Sequence, residues 1–351
     1  MEYFLHILVV AGIYIILTLS LNLIVGYTGL AALGHIAFAC VGAYTSSLLA
    51  LNYGISPWVG LILGACAASA LALVIGFPSL RLKGDYLALA TFGFGVIVYS
   101  VSKNWAALTR GSMGLPGIPK FSFFGFELQS VWVYLILVTA FVSITAFVIN
   151  RIVDSPFGRA LKSIREDEVA SLSIGKNVNR YKLIVFAIGA FFAGIAGSLC
   201  AHYITFIDPS SFTMMESIAV LLMVVFGGMG SIRGSFVGAL ILVILPEMLR
   251  FLGMPSSVAA PLRQMIYGLL LIVLMIKRPQ GICFQDRKHI HGRYRKESPW
   301  KQGSGEGVFG RIILSWDLAR FKKTVQKNIL TIFTVGAILR PENCFTIGLP
   351  G

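Results

Sequence analysis

The sequence predicts an all-α, polytopic membrane protein with about nine transmembrane helices. Hydrophobic residues occupy 56% of the 351 positions, charged residues occupy only 13%, and the mean hydropathy is +0.81. A water-soluble domain of this size does not carry such an apolar excess. A helix needs about 20 apolar residues to cross a hydrocarbon core about 30 Å thick, and runs of roughly this length recur as far as Lys277.

Nine apolar segments are the predicted spans, and some of them are short or broken. In chain order they are 4–25, 29–51, 57–77, 84–102, 130–150, 183–204, 216–229, 231–250 and 260–277. The first has no basic stretch before it and no small-residue cleavage site after it, so we expect a retained span. Between the seventh and the eighth, Gly227, Gly228 and Gly230 predict a tight turn or a helix break.

The distribution of Lys and Arg predicts the orientation, because these residues resist translocation. The segment 151–182 and the chain from Lys277 onward are the richest in basic residues, so both are placed in the cytoplasm. The loop 204–216 has no Lys or Arg and is placed outside, whereas the basic loop 102–130, also outside, fits the rule less well. The predicted topology has the N-terminus outside and the C-terminus inside.

The segment 151–182 is long for a connection between two spans, and it has the pattern of a helix. It contains seven basic and four acidic residues. Ser155 and Pro156 suit an N-cap and a first helical residue, and Gly175 suits the helix end. One predicted face is apolar and comprises Phe157, Ala160, Leu161 and Ile164, prolonged by Val169 and Leu172.

Two interpretations of this helix remain open. An amphipathic helix can lie on the inner leaflet with its cations facing anionic lipid. It can instead be a docking surface for a partner that drives transport, with Arg159 and Arg165 projecting away from the apolar face. The acidic run Glu166, Asp167 and Glu168 interrupts the basic face and favours docking.

The source of energy is expected to be a partner. An ion-coupled carrier usually has an ionisable residue deep in the membrane, at an insertion cost of roughly 2.5–3.5 kcal/mol. The acidic residues are predicted outside the spans or at their edges: a capping box with Thr213 accounts for Glu216, and a helix N-terminus accounts for Asp85. The sequence has no G-x-x-x-x-G-K-[ST] motif for binding ATP. A secondary carrier acting alone is the alternative.

His35 is the candidate for a residue on the translocation path. It lies in the apolar run GLAALGHIAFACVGAY, where Gly34 and Gly42 weaken a continuous helix, and transport sites are often built at broken helices. The alternative is a hydrogen-bonded packing residue. The five histidines and five cysteines have no ligand spacing, so neither a metal site nor an enzyme active site is predicted.

The segment GSMGLPGIP, residues 111–119, lies in the predicted outer loop 102–130. Its glycines and prolines exclude a regular helix and restrict the backbone. Such a loop can hold a fixed shape above the pore and receive a binding protein, with Gly111, Gly114 and Pro116 as the candidates. A flexible connector is the alternative.

Seven motifs in one order carry a resemblance to a known family. They are LNLIVGYTGLAALGHIAFACVGAY, GDYLALATFGFG, GSMGLPGIP, SPFGRALKSIREDEVASLSIGKNVNRYKL, FFAGIAGSLCAHY, ESIAVLLMVVFGGMGSIRGSFVGALIL and KRPQGI. Over roughly residues 15–282 the chain resembles the permease of branched-chain amino-acid ABC importers. The segment 151–182 corresponds to the family's coupling loop, and Glu168 to Gly175 is similar to the EAA…G signature of ABC importers, with one residue more before the glycine.

The resemblance implies a subunit of the bacterial inner membrane that works with several partners. They are a second homologous permease, two ABC ATPase subunits that bind the ATP, a periplasmic substrate-binding protein and the lipid bilayer. No cofactor in this chain and no nucleic-acid partner are expected. Leucine, isoleucine and valine are the implied substrates; permeases for urea, short amides or monosaccharides belong to the same family and are the alternatives.

Two domains are predicted: a transmembrane permease domain over 1–282 and a basic cytoplasmic tail over 283–351. Residues 285–351 hold twelve basic and five acidic residues, and relatives are expected to end soon after KRPQGI. Within the tail, 311–339 can form a basic amphipathic helix on the membrane surface. A C-terminus without function is the alternative.

Overall fold

The computed structural model describes residues 2–82, 84–123, 126–127 and 130–250, together with the isolated positions 265, 268 and 269. The described helices are α1 (Glu2–Asn22), α2 (His35–Tyr53), α3 (Pro57–Ser79), α4 (Asp85–Asn104), α5 (Ala106–Thr109), α6 (Val131–Asp154), α7 (Pro156–Glu166), α8 (Glu168–Ser173), α9 (Val178–Ile204), α10 (Met214–Gly227) and α11 (Ile232–Arg250). Four two-residue strands are β1 (Leu115–Pro116), β2 (Ser122–Phe123), β3 (Phe126–Glu127) and β4 (Phe206–Ile207). A π-helix, Leu23–Tyr27, continues α1.

The predicted all-α class is confirmed, and six of the predicted spans are helices of membrane-crossing length. These six, found among the described residues, are Glu2–Tyr27, His35–Tyr53, Pro57–Ser79, Tyr86–Asn104, Val131–Asp154 and Val178–Ile204. The seventh and eighth predicted segments form α10, which has only 14 residues, and α11. The predicted ninth span, 260–277, lies outside the described residues apart from the three isolated positions, and so does the whole tail 283–351.

The prediction for the second segment was wrong at its start. A helix was expected from residue 29, but residues 29–34 are not helical and α2 begins at His35. Gly29 has a φ of +75°, in the region that glycine occupies without the steric cost of a Cβ. The break therefore lies before His35, whereas α2 passes through Gly42 without interruption.

Small residues bring α9 close to its neighbours α1, α2 and α3. A Cβ added at Gly194 would lie 2.9 Å from the Ala65 Cα of α3. The Ser198 hydroxyl donates to the Gly42 carbonyl of α2 at 3.1 Å. Such close backbone contact is the packing that glycine, alanine and serine allow between helices in lipid.

The bundle of described helices has two ends, which are named here for the segments found there. At the α7 end, α6 passes into α7 through Ser155. At the ribbon end, β1 pairs antiparallel with β4, which follows α9. The first helix runs between the same two ends. Its His6 Nδ1 lies 2.8 Å from the Tyr203 hydroxyl near β4, and at its other end the Lys162 ammonium of α7 lies over the Tyr27 ring.

The polar segment between α6 and α9 folds as two helices, where one was predicted. Ser155 caps α7 as expected, accepting a hydrogen bond from the Gly158 N–H at 3.2 Å. The helix ends at Glu166 because Asp167 is extended and caps α8 instead, accepting from the Ala170 N–H at 3.0 Å. Gly175, with φ +81°, lies just beyond α8.

Candidate functional site

The N-termini of α2 and α10 meet inside the bundle. The backbone N–H of Ile36, in the first turn of α2, donates to the hydroxyl of Ser217, in the first turn of α10, at 3.2 Å. From this point α2 leads toward the ribbon end, where its Ser46 hydroxyl lies 2.7 Å from His202 Nε2, and α10 leads toward the glycine turn at the α7 end. Unpaired N–H groups give a helix N-terminus a partial positive charge. Two such termini in one place favour an anionic group.

His35 lies at this meeting point, and one of its ring nitrogens has no partner. Its Nε2 is 2.8 Å from the Ser20 hydroxyl of α1, which donates its only hydrogen to the Leu17 carbonyl at 2.8 Å. The hydrogen-bond network therefore assigns the ring hydrogen to Nε2 and leaves Nδ1 as an acceptor. Nδ1 is buried without a hydrogen-bond partner in the described structure, and His35 is 1% exposed. An unpaired buried acceptor costs about 1–3 kcal/mol, which a bound donor recovers.

The segment before α2 is held against α4. The Leu33 N–H donates to the Thr91 hydroxyl at 3.1 Å, and Gly34 packs so closely on α4 that a Cβ there would overlap the Thr91 carbonyl. Irregular backbone inside a membrane bundle requires partners of this kind, because no water satisfies it. Gly34 therefore belongs to the meeting point, whereas Gly42 lies further along α2 in the contact with α9.

Glu216 contradicts the sequence prediction that it forms a capping box at the edge of a span. The Thr213 side chain makes no capping hydrogen bond. Instead, the Tyr14 hydroxyl donates to Glu216 Oε2 at 2.9 Å, and Tyr14 lies midway along the span Glu2–Tyr27. The carboxylate enters the bundle because α10 begins inside it, which the length of the apolar run did not indicate.

A second polar centre, the polar junction, joins α7, the π-helical end of α1 and the turn between α10 and α11. The Arg165 guanidinium of α7 donates to the Gly26 carbonyl. Arg165 was expected to project away from the apolar face, but it is half-buried in this contact. A π-helix shifts the backbone hydrogen-bond pattern, and Gly26 Cα lies so close to the glycine turn that a Cβ there would be 2.5 Å from the Gly230 nitrogen.

Asn22 forms the other side of the polar junction through three hydrogen bonds. Its Nδ2 donates to the Ser231 carbonyl at 3.0 Å and to the Ser235 hydroxyl at 2.7 Å, while its Oδ1 accepts from the Gly230 N–H at 2.8 Å. Asn22 is 1% exposed. The interruption expected at the glycines is present, since α10 ends at Gly227 and α11 begins at Ile232.

Beyond the junction, α8 has one inward contact and one exposed apolar surface. Glu168 Oε2 lies 2.8 Å from the Lys182 ammonium of α9. The apolar face of the segment was expected to continue through Val169 and Leu172, but these side chains are 66% and 52% exposed, and Ile174 is 74% exposed. The new N-cap at Asp167 changes the direction of the chain and turns this α8 patch (Val169, Leu172, Ile174) outward. Arg159, on α7, is exposed as predicted.

At the ribbon end, the segment 111–119 pairs with β4 and contacts the end of α9. Leu115 pairs with Ile207 and Pro116 with Phe206. The His202 ring of α9 binds the Pro119 carbonyl through Nδ1 at 2.7 Å and the Ser46 hydroxyl of α2 through Nε2 at 2.7 Å. Gly111 and Gly114, with φ of +59° and +73°, adopt conformations that favour glycine.

An aspartate follows β4 in the same region. Partial burial raises the pKa of Asp208, but hydrogen bonds from Ser210 and Ser211 outweigh this effect and hold the pKa below its usual value. The carboxylate accepts from the Ser211 N–H at 3.1 Å and caps the short helical turn 209–212. These hydrogen bonds define the turn that leads from β4 to α10.

Sequence reasoning missed the residues that connect these centres. Asn22, Ser20, Thr91, Ser217 and His202 are polar side chains that are at most 2% exposed. A buried polar group is normally hydrogen-bonded, so a polar residue in an apolar run is a usable signal. The sequence around such a residue does not identify its partner, because these partners lie on distant helices, turns and loops.

The chain is similar in sequence to one protein family and to several known permeases. The family described as branched-chain amino acid transport system / permease component matches residues 3–275. The high-affinity branched-chain amino acid transport system permease protein LivM of Escherichia coli (strain K12) is 39% identical over 302 residues, which cover 79% of this chain and 69% of that protein. The probable branched-chain amino acid transport permease protein LivM of Methanocaldococcus jannaschii is 28% identical, covering 77% and 90%. The corresponding LivH protein of Escherichia coli (strain K12) is 24% identical, also covering 77% and 90%.

Proposed function

Because the chain belongs to the family of branched-chain amino-acid transport permeases, we propose that it is the membrane-spanning subunit of an ABC importer for leucine, isoleucine and valine. Partner subunits hydrolyse the ATP. Two observations support this role. The relatives are named permeases, and six described helices of this chain are long and apolar enough to cross a membrane. In this proposal the chain forms the translocation path, and it has no enzymatic activity or cofactor of its own.

The meeting of α2 and α10 is the observation that carries the transport proposal. Discontinuous helices that direct their N-termini at one point form substrate sites in other membrane transporters, where the helix dipoles favour an anionic group. A substrate carboxylate suits the positive potential of the two helix N-termini that meet at Ile36 and Ser217, and a substrate ammonium suits the acceptor Nδ1 of His35. The bundle is closed over this nitrogen, so the site becomes accessible only when the helices separate.

Two features of the α7 end support an ATPase partner there. The α8 patch is apolar and exposed, and the exposed Arg159 of α7 adds a positive charge to the same polar segment. An exposed apolar patch with a polar surround is typical of a protein contact. Inside this surface, Arg165 contacts α1 directly. A movement imposed on α7 and α8 therefore reaches α1 and the α10–α11 turn through the polar junction.

The remaining partners and the orientation follow from the same proposal. Both LivM and LivH of Escherichia coli are named permeases of a high-affinity system, so a second homologous permease is expected beside this chain. A periplasmic binding protein would meet the ribbon end. The α7 end lies in the cytoplasm, with the N-terminus outside, nine spans in the inner membrane, and residues 283–351 as a cytoplasmic tail.

Uptake in proteoliposomes tests the function. The full importer is reconstituted with its binding protein and ATP, and labelled leucine, isoleucine, valine, ribose and urea are supplied separately. ATP-dependent accumulation of the three branched-chain amino acids is expected. Accumulation of ribose or urea alone would assign the chain to another substrate class, and accumulation without ATPase subunits would establish a secondary carrier.

A further inference from the structure

Tyr44, in the middle of α2, has a buried hydroxyl that makes no hydrogen bond in the closed bundle. Among the residues that the structure describes, two buried side-chain atoms lack a partner, the Tyr44 hydroxyl and His35 Nδ1. Tyr44 is 5% exposed. An unpaired buried hydroxyl destabilises a fold, and a phenylalanine would fill the same space without that penalty. The hydroxyl therefore contributes nothing to packing, and its hydrogen-bonding capacity is left for a ligand.

Tyr44 is separate from the site at His35. The two residues are about two and a half helical turns apart on α2, so their side chains face opposite sides of the helix. His35 contacts Ser20 of α1, whereas the Tyr44 ring packs near Phe212, with 6.4 Å between the ring centroids. The rise between the two positions is about 13 Å. A small ligand therefore does not contact both groups at once.

The contact that contains Cys40, Tyr44 and Ser102 is called here the α2–α4 seam. Cys40 precedes Tyr44 by one turn on the same face of α2, and its Sγ lies 3.5 Å from the Ser102 hydroxyl of α4. One turn further back, the Ile36 N–H donates to the Ser217 hydroxyl at the meeting point of α2 and α10. Polar groups therefore follow one face of α2 from the meeting point to Tyr44.

The facing side of α4 is polar at the same two levels. Thr91 and Ser102 are about three helical turns apart, so both lie on one face of α4. The Thr91 hydroxyl accepts from the Leu33 N–H at the meeting-point end. Between the two levels, a Cβ added at Gly95 would lie 3.4 Å from the Gly34 Cα. The α2–α4 seam is therefore tightly packed and has polar groups at both of its ends.

The helical turn 209–212 covers the outer end of the α2–α4 seam. This turn contacts α2, α4 and α10, and it follows β4 directly at the ribbon end. Phe212, the residue near the Tyr44 ring, is 8% exposed, and Asp208 caps the turn. The Tyr44 hydroxyl therefore lies beneath the ribbon end and becomes accessible when Phe212 moves away.

We propose that the α2–α4 seam is the outer half of the substrate route, and that the Tyr44 hydroxyl donates a hydrogen bond to the carboxylate of an aliphatic amino acid that enters along it. Phe212 closes the route above the ligand. A phenolic O–H is a donor, and a hydrogen bond to an ionised acceptor is stronger than one between neutral groups. This inference rests on the proposed function, which has the substrate enter as an amino acid at the ribbon end.

Tyr44→Phe removes the hydroxyl and little else, and Tyr134→Phe is the matched control because the Tyr134 hydroxyl donates to the Leu199 carbonyl at 2.6 Å. In the reconstituted importer, Tyr44→Phe is expected to lower maximal leucine uptake about tenfold, the effect of one hydrogen bond to a charged group. The binding-protein concentration for half-maximal uptake should not change. The unfolding temperature of Tyr44→Phe should equal or exceed that of the wild type, whereas Tyr134→Phe should unfold at a lower temperature.

The native Cys40 reports whether the α2–α4 seam opens. It is 1% exposed, so a small methanethiosulfonate reagent should not modify it in the resting importer, in which the other four cysteines are replaced by serine. Loaded binding protein and ATP should raise the modification rate about tenfold or more, because local opening controls access to a buried group. Asn52→Cys, at the exposed end of α2, is the position control and should react at one rate in both conditions.

Three outcomes would each overturn the proposal. They are wild-type uptake by Tyr44→Phe, a loss of thermal stability as large as that of Tyr134→Phe, and a modification rate at Cys40 that does not depend on turnover. Leucine uptake by the wild-type importer is measured in parallel. Normal leucine uptake together with any of these outcomes rejects the route through the seam and keeps the function. A wild-type importer that accumulates only ribose or urea rejects the function itself.

Discussion

The Asn22 Oδ1 accepts a hydrogen bond from the Gly230 N–H at 2.8 Å across 208 residues of sequence. The contact joins the end of α1 to the turn between α10 and α11, and it lies beside the Gly26 carbonyl that Arg165 binds. One end of α1 therefore contacts both the polar α7 segment and the glycine turn. Further along the same helix, Ser20 binds His35. This arrangement connects the α7 end to the meeting point of α2 and α10.

Removal of the Asn22 side chain is expected to weaken the bundle. Asn22→Ala removes a buried amide that makes three hydrogen bonds and leaves the half-buried Gly230 N–H without its acceptor, at a cost of about 1–3 kcal/mol. A lower thermal unfolding temperature of the purified complex, together with reduced uptake, is the expected result. Asn52→Ala is the matched control, because Asn52 is exposed at the end of α2. Equal melting temperatures for the two variants would show that the Asn22 contacts contribute nothing to stability.

Arg165→Ala and Leu172→Asp should produce different defects. Arg165 contacts α1, so its loss is expected to leave ATPase subunits bound while reducing substrate-stimulated ATP hydrolysis at least fivefold. Leu172 belongs to the exposed α8 patch, so a charge there should prevent co-purification of the ATPase subunits. Ser173→Asp, at the exposed neighbouring position, is the control. If both variants keep bound ATPase and full stimulation, the α7 and α8 segment is not the coupling element.

Two substitutions at His35 distinguish the roles of its two ring nitrogens. Glutamine can replace the Nε2 donor to Ser20 but not the Nδ1 acceptor, so His35→Gln should fold and insert normally. Its maximal uptake is expected to fall about tenfold, the effect of losing about 1.4 kcal/mol from one hydrogen bond. More binding protein should not restore uptake, because the defect lies inside the bundle. His35→Asn, which loses the Ser20 contact, should instead lower thermal stability. Wild-type uptake by His35→Gln would leave His35 as a packing residue.

An insertion in the ribbon tests the outer surface. Two residues added after Gly114 should break the register of β1 with β4. Uptake is then expected to fall at limiting binding protein and to recover partly when binding protein is raised. The same insertion after Gly54, where no other atom lies within 4 Å of an added Cβ, is the control. Equal uptake by the two insertion variants at limiting binding protein would contradict a docking role for the ribbon.

The sequence predicted where several helices lie, because the residues that begin a helix are close to it in the chain. Ser155 and Pro156 begin α7 as expected, since a cap and a first-turn proline act within a few residues. The same reasoning failed at Asp167, which competes as a second N-cap and divides the predicted helix. It failed again at residues 29–34, where apolar composition continues although the backbone is not helical. An apolar composition indicates that a segment lies in a nonpolar environment. It does not indicate whether the backbone forms helical hydrogen bonds.

The amino-acid sequence by itself determined the membrane class, the approximate positions of eight of the nine segments and the family resemblance, because apolar run length and ordered motifs are properties of the chain alone. Only the tertiary structure decided where the polar groups of those segments lie. It placed Glu216 beside Tyr14, Arg165 on the Gly26 carbonyl, and the N-terminus of α2 against α10. A buried polar group must find a partner wherever the packed helices supply one. In this bundle such partners are often more than a hundred residues away in sequence.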